Sequence, residues 1–235
     1  MSRADDLPAL AGGPWLARLD SRDAVAVDTV ARLHETHLPD SAIVRIGPRF
    51  MRELYYKALV ADGLVRCIIA RADGRIVGFL SYTDDPYRFM KRGIQRHFRG
   101  LSWVLAREAF ARPVLLAEAL VAARIMIERR AVPARSVEGV GEALSMAIER
   151  EYTRWVPPGG ESRLAIRFFD TMAADLAESG CQRLELNVDP ARLTPNLFYA
   201  SLGCTLKRTV IAGRAVHRYG YELKQSHAAG GRAAT

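Results

Sequence analysis

Residues 155–189 read WVPPGGESRLAIRFFDTMAADLAESGCQRLELNVD, and their reading decides the fold. Pro157, Pro158, Gly159 and Gly160 form a turn. Leu164, Phe168, Phe169, Met172 and Leu176 then recur at the spacing of one helix face, and Gly180 stands where a helix ends. In CQRLELNVD, Leu184, Leu186 and Val188 alternate with polar neighbours, the period of a strand. Upstream, EALSMAIE at 142–149 alternates imperfectly, as expected of a central strand partly buried on both faces. Strand, loop, helix, strand is a βαβ unit. It sets two parallel strands side by side and brings the helix N-terminus to their C-terminal edge, where anions bind. The glycines permit close backbone approach, so the local sequence leaves two uses open, a plain connector and a phosphate cradle.

Working outward, Trp15 to Leu19 reads as a short strand, and Asp23 as the cap of a helix running to about His37, with Val27, Val30, Ala31 and His34 on one face. Pro39 stops it. Pro48 opens a second helix with Phe50, Leu54, Tyr55 and Val60 near one side. LVRCIIAR (64–71) and RIVGFLSY (75–82) are β-rich runs joined by Ala72-Asp73-Gly74, and Asp-Gly in that place is a strong hairpin signal. From Asp85 to about Val132 the pattern turns helical, basic first and apolar later, and interrupts the strands. Such an insertion can cover a sheet edge, form an oligomer contact, which leaves a homodimer open, or roof a substrate site. After the βαβ unit, Thr194 and Pro195 cap and open a short helix ended by Gly203, and a final hairpin turns near Ala212-Gly213.

The 235 residues, 49% hydrophobic and 26% charged, suffice for one sizeable core. We expect a flexible segment at 1–14, one domain over 15–223 with the insertion at about 85–135, and a flexible tail at 224–235. Cys67, Cys181 and Cys204 are odd in number and far apart, so neither a disulfide framework nor a CxxC metal site is suggested, and a cytoplasmic setting is the default. No apolar run is long enough for a transmembrane segment. The net charge of +8 favours anionic partners, yet the arginines come with no zinc-finger spacing or aromatic RNA-binding signature, so no nucleic-acid partner is expected. His34 and His37 lack a third ligand nearby, so no metal is expected.

Three stretches together resemble the GNAT superfamily of acetyl-CoA-dependent N-acetyltransferases: ARADGRIVGFLSY (70–82), EALSMAIEREY (142–152) and SGCQRLELNVDPARLTPNLFYASLGC (179–204). In the last, Phe198, Tyr199 and Leu202-Gly203 fall where that family has its aromatic pair and Leu-Gly end. The resemblance implies an α/β fold, a mixed, splayed β-sheet flanked by helices, here with a helical insertion between the third and fourth strands. The fourth and fifth strands would part to admit the pantetheine arm of acetyl-CoA. The family's pyrophosphate loop falls on Gly160 to Ala165, where only the final Ala agrees. Gly160 replaces the basic residue, Arg163 replaces the central glycine, and the loop is longer. The N–H groups of Ser162, Arg163, Leu164 and Ala165 would still open a helix toward an anion.

The resemblance also implies roles in acetyl transfer to an amine. Tyr199 resembles the general acid that protonates the departing thiolate, and a backbone N–H near Ile148 would serve as oxyanion donor. Glu142, with Glu149 as runner-up, is the candidate for deprotonating the amine, directly or through water. Asn196 is a further candidate cofactor contact. No Ser/His/Asp or Cys/His arrangement indicates covalent catalysis, so direct attack in a ternary complex is the simpler course. The expected acceptor is a primary amine on a small molecule, an amino sugar or similar metabolite. The other reading is a non-catalytic protein of the same fold that docks a partner or an anionic surface through its basic insertion.

Overall fold

Local chemistry sets most of the boundaries. In the computed structural model, which describes residues 14–97, 139–156, 162–211 and 213–224, the Asp23 carboxylate accepts the Ala26 N–H at 2.9 Å and starts helix α1 (Ala24–His37). Its buried stripe is Ala26, Val27, Val30, Ala31 and His34. The hairpin of β2 (Arg66–Ala72) and β3 (Arg75–Thr83) turns through Asp73 and Gly74 at φ 50° and 74°, the left-handed pair that a two-residue primed turn requires. Gly180, at φ 87°, ends the helix α5 (Leu164–Glu178).

Two elements depart from the sequence reading. Ser41 caps a short helix α2 (Ala42–Ile46) that the periodicity does not reveal. The helix expected from Pro48 is π-wound over Phe50–Ala58 before continuing as α3 (Leu59–Ala61). Its wider turn sets successive residues closer together around the axis, so the adjacent Tyr55 and Tyr56 both lie fully buried, ring against ring at 4.9 Å. Helix α4 (Phe89–Arg96) follows β3; the rest of the expected insertion, the Pro/Gly turn at 157–161 and both termini lie outside the described residues.

The remaining strands are β1 (Trp15–Arg18), β4 (Val140–Ile148), β5 (Arg183–Val188), β6 (Thr205–Ile211) and β7 (Arg214–Glu222), with helix α6 (Leu193–Ser201) between β5 and β6. Helix α6 begins one residue before Thr194. Its preceding residue, Arg192, makes no side-chain cap bond. All seven strands form one sheet in the order β1-β2-β3-β4-β5-β7-β6, antiparallel except for β4 and β5. This is the mixed α/β sheet expected, with the βαβ unit at its centre.

Each face of the sheet carries its own core. One face packs on α5 and α6 through Ile68, Leu80, Phe168, Met172, Leu184 and Leu186. The other packs on α1 and the π-wound helix through Ile69, Phe79, Val30, Leu54 and Tyr55. Asp175 ties the first layer together. Buried on α5, it takes hydrogen bonds from Arg18 of β1, Arg66 of β2 at 2.8 Å and the Tyr82 hydroxyl of β3 at 2.6 Å.

Candidate active site

The opening at the centre of the sheet begins at a pairing defect. Strands β4 and β5 are in register from Val140↔Arg183 to Ala143↔Leu186, and there the pairing stops, although β4 runs on to Ile148 and β5 to Val188. At the same point the register of β4 on β3 shifts, leaving Leu144 without a partner, and a bulge of this kind bends a strand away from its neighbour. The Glu149 N–H reaches the Val77 carbonyl at 2.8 Å. By strand alternation the N–H groups of Met146 and Ile148 therefore face the opening. Ile148 thus offers an N–H into the gap, but at the end of β4, six residues along the strand from Glu142.

At one end of the opening α5 begins. Arg163 precedes it with extended backbone, an exposed side chain and no capping hydrogen bond, so the N–H groups of the first turn, including those of Leu164 and Ala165, are directed out of the helix start. Leu164 is fully buried in the core beneath α5, and any anion contact it makes belongs to its backbone. Ser162 lies half-buried just before it. This donor set, with the Arg163 guanidinium beside it, fits a pyrophosphate, and the amides of the parted β4 strand fit the amides of an extended arm.

Glu142 and Tyr199 lie on opposite faces of the sheet. Gly141 and Ala143 face α5, the first against Leu176, so Glu142 between them points to the α1 face. It is 4% exposed and its Oε1 accepts the Asn187 side-chain N–H at 2.7 Å. Tyr199, on α6, packs in the α5-side core beside Tyr219 and Phe198. Burial first, with Cys204 nearby, pushes its phenol well above the ordinary value, so it carries its proton at any working pH. Among the described residues its hydroxyl has no hydrogen-bond partner. Glu149 follows β4 directly.

Asn196 is engaged by the chain itself. Its amide donates to the carbonyls of Arg192 at 2.6 Å and Asp189 at 2.9 Å, and its Oδ1 accepts from His217 at 2.8 Å and the Tyr219 hydroxyl at 3.0 Å. These bonds pin the start of α6 to β7 and so position Tyr199. His34 is likewise internal, between the Tyr56 hydroxyl at 2.7 Å and Ser41 Oγ at 3.0 Å, stacked on Phe79. No group of metal-ligating residues occurs among the described residues.

Sequence reasoning missed the residues around Glu142. Glu185 is its register partner across the parallel pair, Asn187 its hydrogen-bond donor, and Arg218 on β7 donates through Nε to Asn187 Oδ1 at 3.2 Å. The alternation of β5 already sets Glu185 and Asn187 on the face away from Leu184 and Leu186. Their meeting with Glu142 depends on register, which no local pattern carries.

Comparison with protein families and with curated proteins finds no match for this sequence. Among solved structures the fold recurs widely. A Desulfovibrio desulfuricans protein assigned as an acetyltransferase of the GNAT family superposes with a TM-score of 0.53 at 14% identity, covering 90% of this chain and 99% of its own. A Salmonella typhimurium protein assigned as an acetyltransferase, with its cofactor acetyl-CoA, gives 0.53 at 11% identity over 92% and 97% of the two chains. An N-acetyltransferase from Thermoplasma acidophilum in complex with coenzyme A gives 0.50 at 11% identity over 89% and 98%. At these identities the likeness establishes the fold. Among the described residues no helix is long and apolar enough to cross a membrane.

Proposed function

We propose that this chain, whose fold is that of the GNAT acyltransferases, transfers the acetyl group of acetyl-CoA to a primary amine of a small molecule by direct attack in a ternary complex. One observation carries the reading: β4 and β5 part after Ala143 and Leu186, with a buried carboxylate on one face of the sheet and a buried phenol on the other. The amine and the departing sulfur occupy different positions on one tetrahedral carbon, so proton removal and proton delivery call for separate groups. A base and a proton donor on opposite faces suit that requirement.

Acetyl-CoA supplies the acetyl group as an activated thioester. The N–H groups at Ser162 to Ala165 and the Arg163 guanidinium hold its phosphates, and the gap-facing amides of β4 hold its arm. Glu142 takes the proton from the amine and Tyr199 offers its hydroxyl to the departing sulfur; the Ile148 N–H, about 20 Å further along β4, serves the cosubstrate's arm and not the oxygen of the carbonyl under attack.

Calorimetry with acetyl-CoA, then free-thiol release with a panel of primary amines covering monoamines, diamines, amino acids and amino sugars, tests the proposal. Binding that Arg163→Glu weakens, together with thiol release by at least one amine, is expected. Absence of binding at about millimolar acetyl-CoA would overturn it. Binding without thiol release from any amine favours the non-catalytic reading, which the departures of the helix-start sequence from the family pattern support.

A further inference from the structure

Glu142 and Glu185 stand directly opposite each other on adjacent parallel strands and on the same face. Like charges in that relation repel, so the arrangement persists only because neighbouring groups compensate it. The Glu185 carboxylate lies between Arg183 at 3.7 Å and Arg218 at 3.8 Å. Gly220, its register partner on β7, leaves room for the Arg183 guanidinium, which a Cβ there would crowd at 2.8 Å. Glu142 receives the side-chain amide of Asn187 on Oε1.

The Asn187 amide has no freedom to reverse. Its donor side faces a carboxylate at 2.7 Å and its acceptor side faces the Arg218 Nε at 3.2 Å. A flip would set oxygen against oxygen and N–H against N–H. Arg218 therefore serves both carboxylates, screening Glu185 and orienting the amide that fixes Glu142.

We infer that Asn187, held by Arg218, is a positioning residue that sets the Glu142 carboxylate for proton removal from the acceptor amine, while Glu185 is kept ion-paired as its electrostatic neighbour. The inference rests on the acetyl-transfer reading. Among the described residues, the groups facing Glu142 include Asn187 and Glu185 from β5 with Arg218 behind them, Thr83 opposite it on β3, and Tyr55 from the π-wound helix, whose ionisation the Glu142 charge opposes.

Two measurements on the full chain test it. In protein labelled with carbon-13 at the glutamate carboxyls, Glu142 is assigned by its loss in Glu142→Gln and titrated without any ligand. Asn187→Ala moves its midpoint upward, because a donor to the charged form is lost. Asn187→Asp moves it further by adding a like charge. Arg218→Lys, which keeps the charge and loses the Nε contact, moves it less than Asn187→Ala. With the fastest amine of the panel, the acid limb of the kcat/KM profile moves with the midpoint, while KM for acetyl-CoA stays within about twofold. Melting curves confirm that each variant folds. An unmoved midpoint in Asn187→Ala, or a rate loss equal at every pH, overturns the inference. A midpoint that moves in a protein acetylating no amine overturns the acetyl-transfer reading and leaves the Asn187 contact standing.

Discussion

Asp175 and Glu142 are both buried carboxylates on elements of the central βαβ unit, and their surroundings suit opposite uses. Asp175 is saturated with strong donors, two guanidiniums and a phenol, drawn from three strands. Burial alone would push its carboxyl up; the bonds from Tyr82, Arg66 and Arg18 outweigh that and hold it below the ordinary carboxylate value. Such a group stays charged and fixed, which is what a cross-link between β1, β2, β3 and α5 needs. Glu142 is equally secluded but takes a neutral amide and borders the point where the sheet opens. A base must give its charge up to a proton and recover it, which calls for a carboxylate at the edge of the substrate space. Place, more than burial, separates the two: Asp175 joins three strands to α5, whereas Glu142 borders the gap in which a substrate is proposed to sit.

The comparison breaks most readily at Asp175. Replacing it with Ala leaves Arg66 and the Tyr82 hydroxyl without their buried partner, and the expected loss is about 4 kcal/mol, read from urea unfolding. Acetyl-CoA binding by the folded fraction should survive. A loss under about 1 kcal/mol would show that the cluster is not what joins α5 to the sheet.

Next comes the pH dependence of stability, to which the same layer logic applies. Burial lowers the His34 imidazole to about 4, whereas an unfolded histidine titrates near 6.5. The unfolded chain therefore binds the extra proton first, and the stability present above about 6.5 is lost progressively as pH falls toward 4, by roughly 3 kcal/mol. Asp175 acts in the same direction at lower pH, because its lowered folded value makes its contribution fade as pH falls through it. Unfolding curves for His34→Gln between pH 4 and 7 should be flatter than those of the unchanged chain. An equal slope would place the acid sensitivity elsewhere.

Glu142 reverses the Asp175 pattern. Glu142→Gln keeps the shape and relieves the opposition to Glu185, so its cost in stability should stay under about 1 kcal/mol. Thiol release with the best amine should fall about a hundredfold, the lower end for loss of a general base. Near-normal release would pass the role to Glu149 or to water.

How far these two carboxylates could be read from sequence follows from how far apart their partners lie. Local signals worked where a few residues decide: the Asp23 cap, the Asp73-Gly74 turn, Gly180 after α5, and the alternation in β5 that completed the βαβ unit; the opening was implied by the family resemblance alone. The Asp175 cluster joins residues 157 and 109 positions apart, and Glu142 meets Asn187 across 45. Such meetings depend on register and on which helix covers which face. The π winding also escaped, since Phe50, Leu54 and Tyr55 fit an ordinary helix and only the burial of Tyr56 as well exposes the wider turn. Asn196 was legible as a polar residue near the site, and its engagement with His217 and Tyr219 was not, because β7 lies about 20 residues further on.

The smallest effect is expected at Tyr199, and the size follows from its surroundings. A phenol raised this far by burial is a weaker acid than a thiol, so full proton transfer to a departing thiolate would run uphill. What Tyr199 can offer is a hydrogen bond that strengthens as charge gathers on sulfur, with the proton delivered later from water. Removing one such donor costs about 1.4 kcal/mol, or tenfold in kcat. Tyr199→Phe should therefore slow thiol release about tenfold and leave acetyl-CoA affinity within about twofold, since the ring still packs on Tyr219. A hundredfold loss would mean that the phenol does complete the transfer, and that the bound cosubstrate lowers its acidity barrier in a way the Glu142 side of the sheet does not share. An unchanged rate would reduce Tyr199 to a core residue and leave the Glu142 face with all of the proton chemistry.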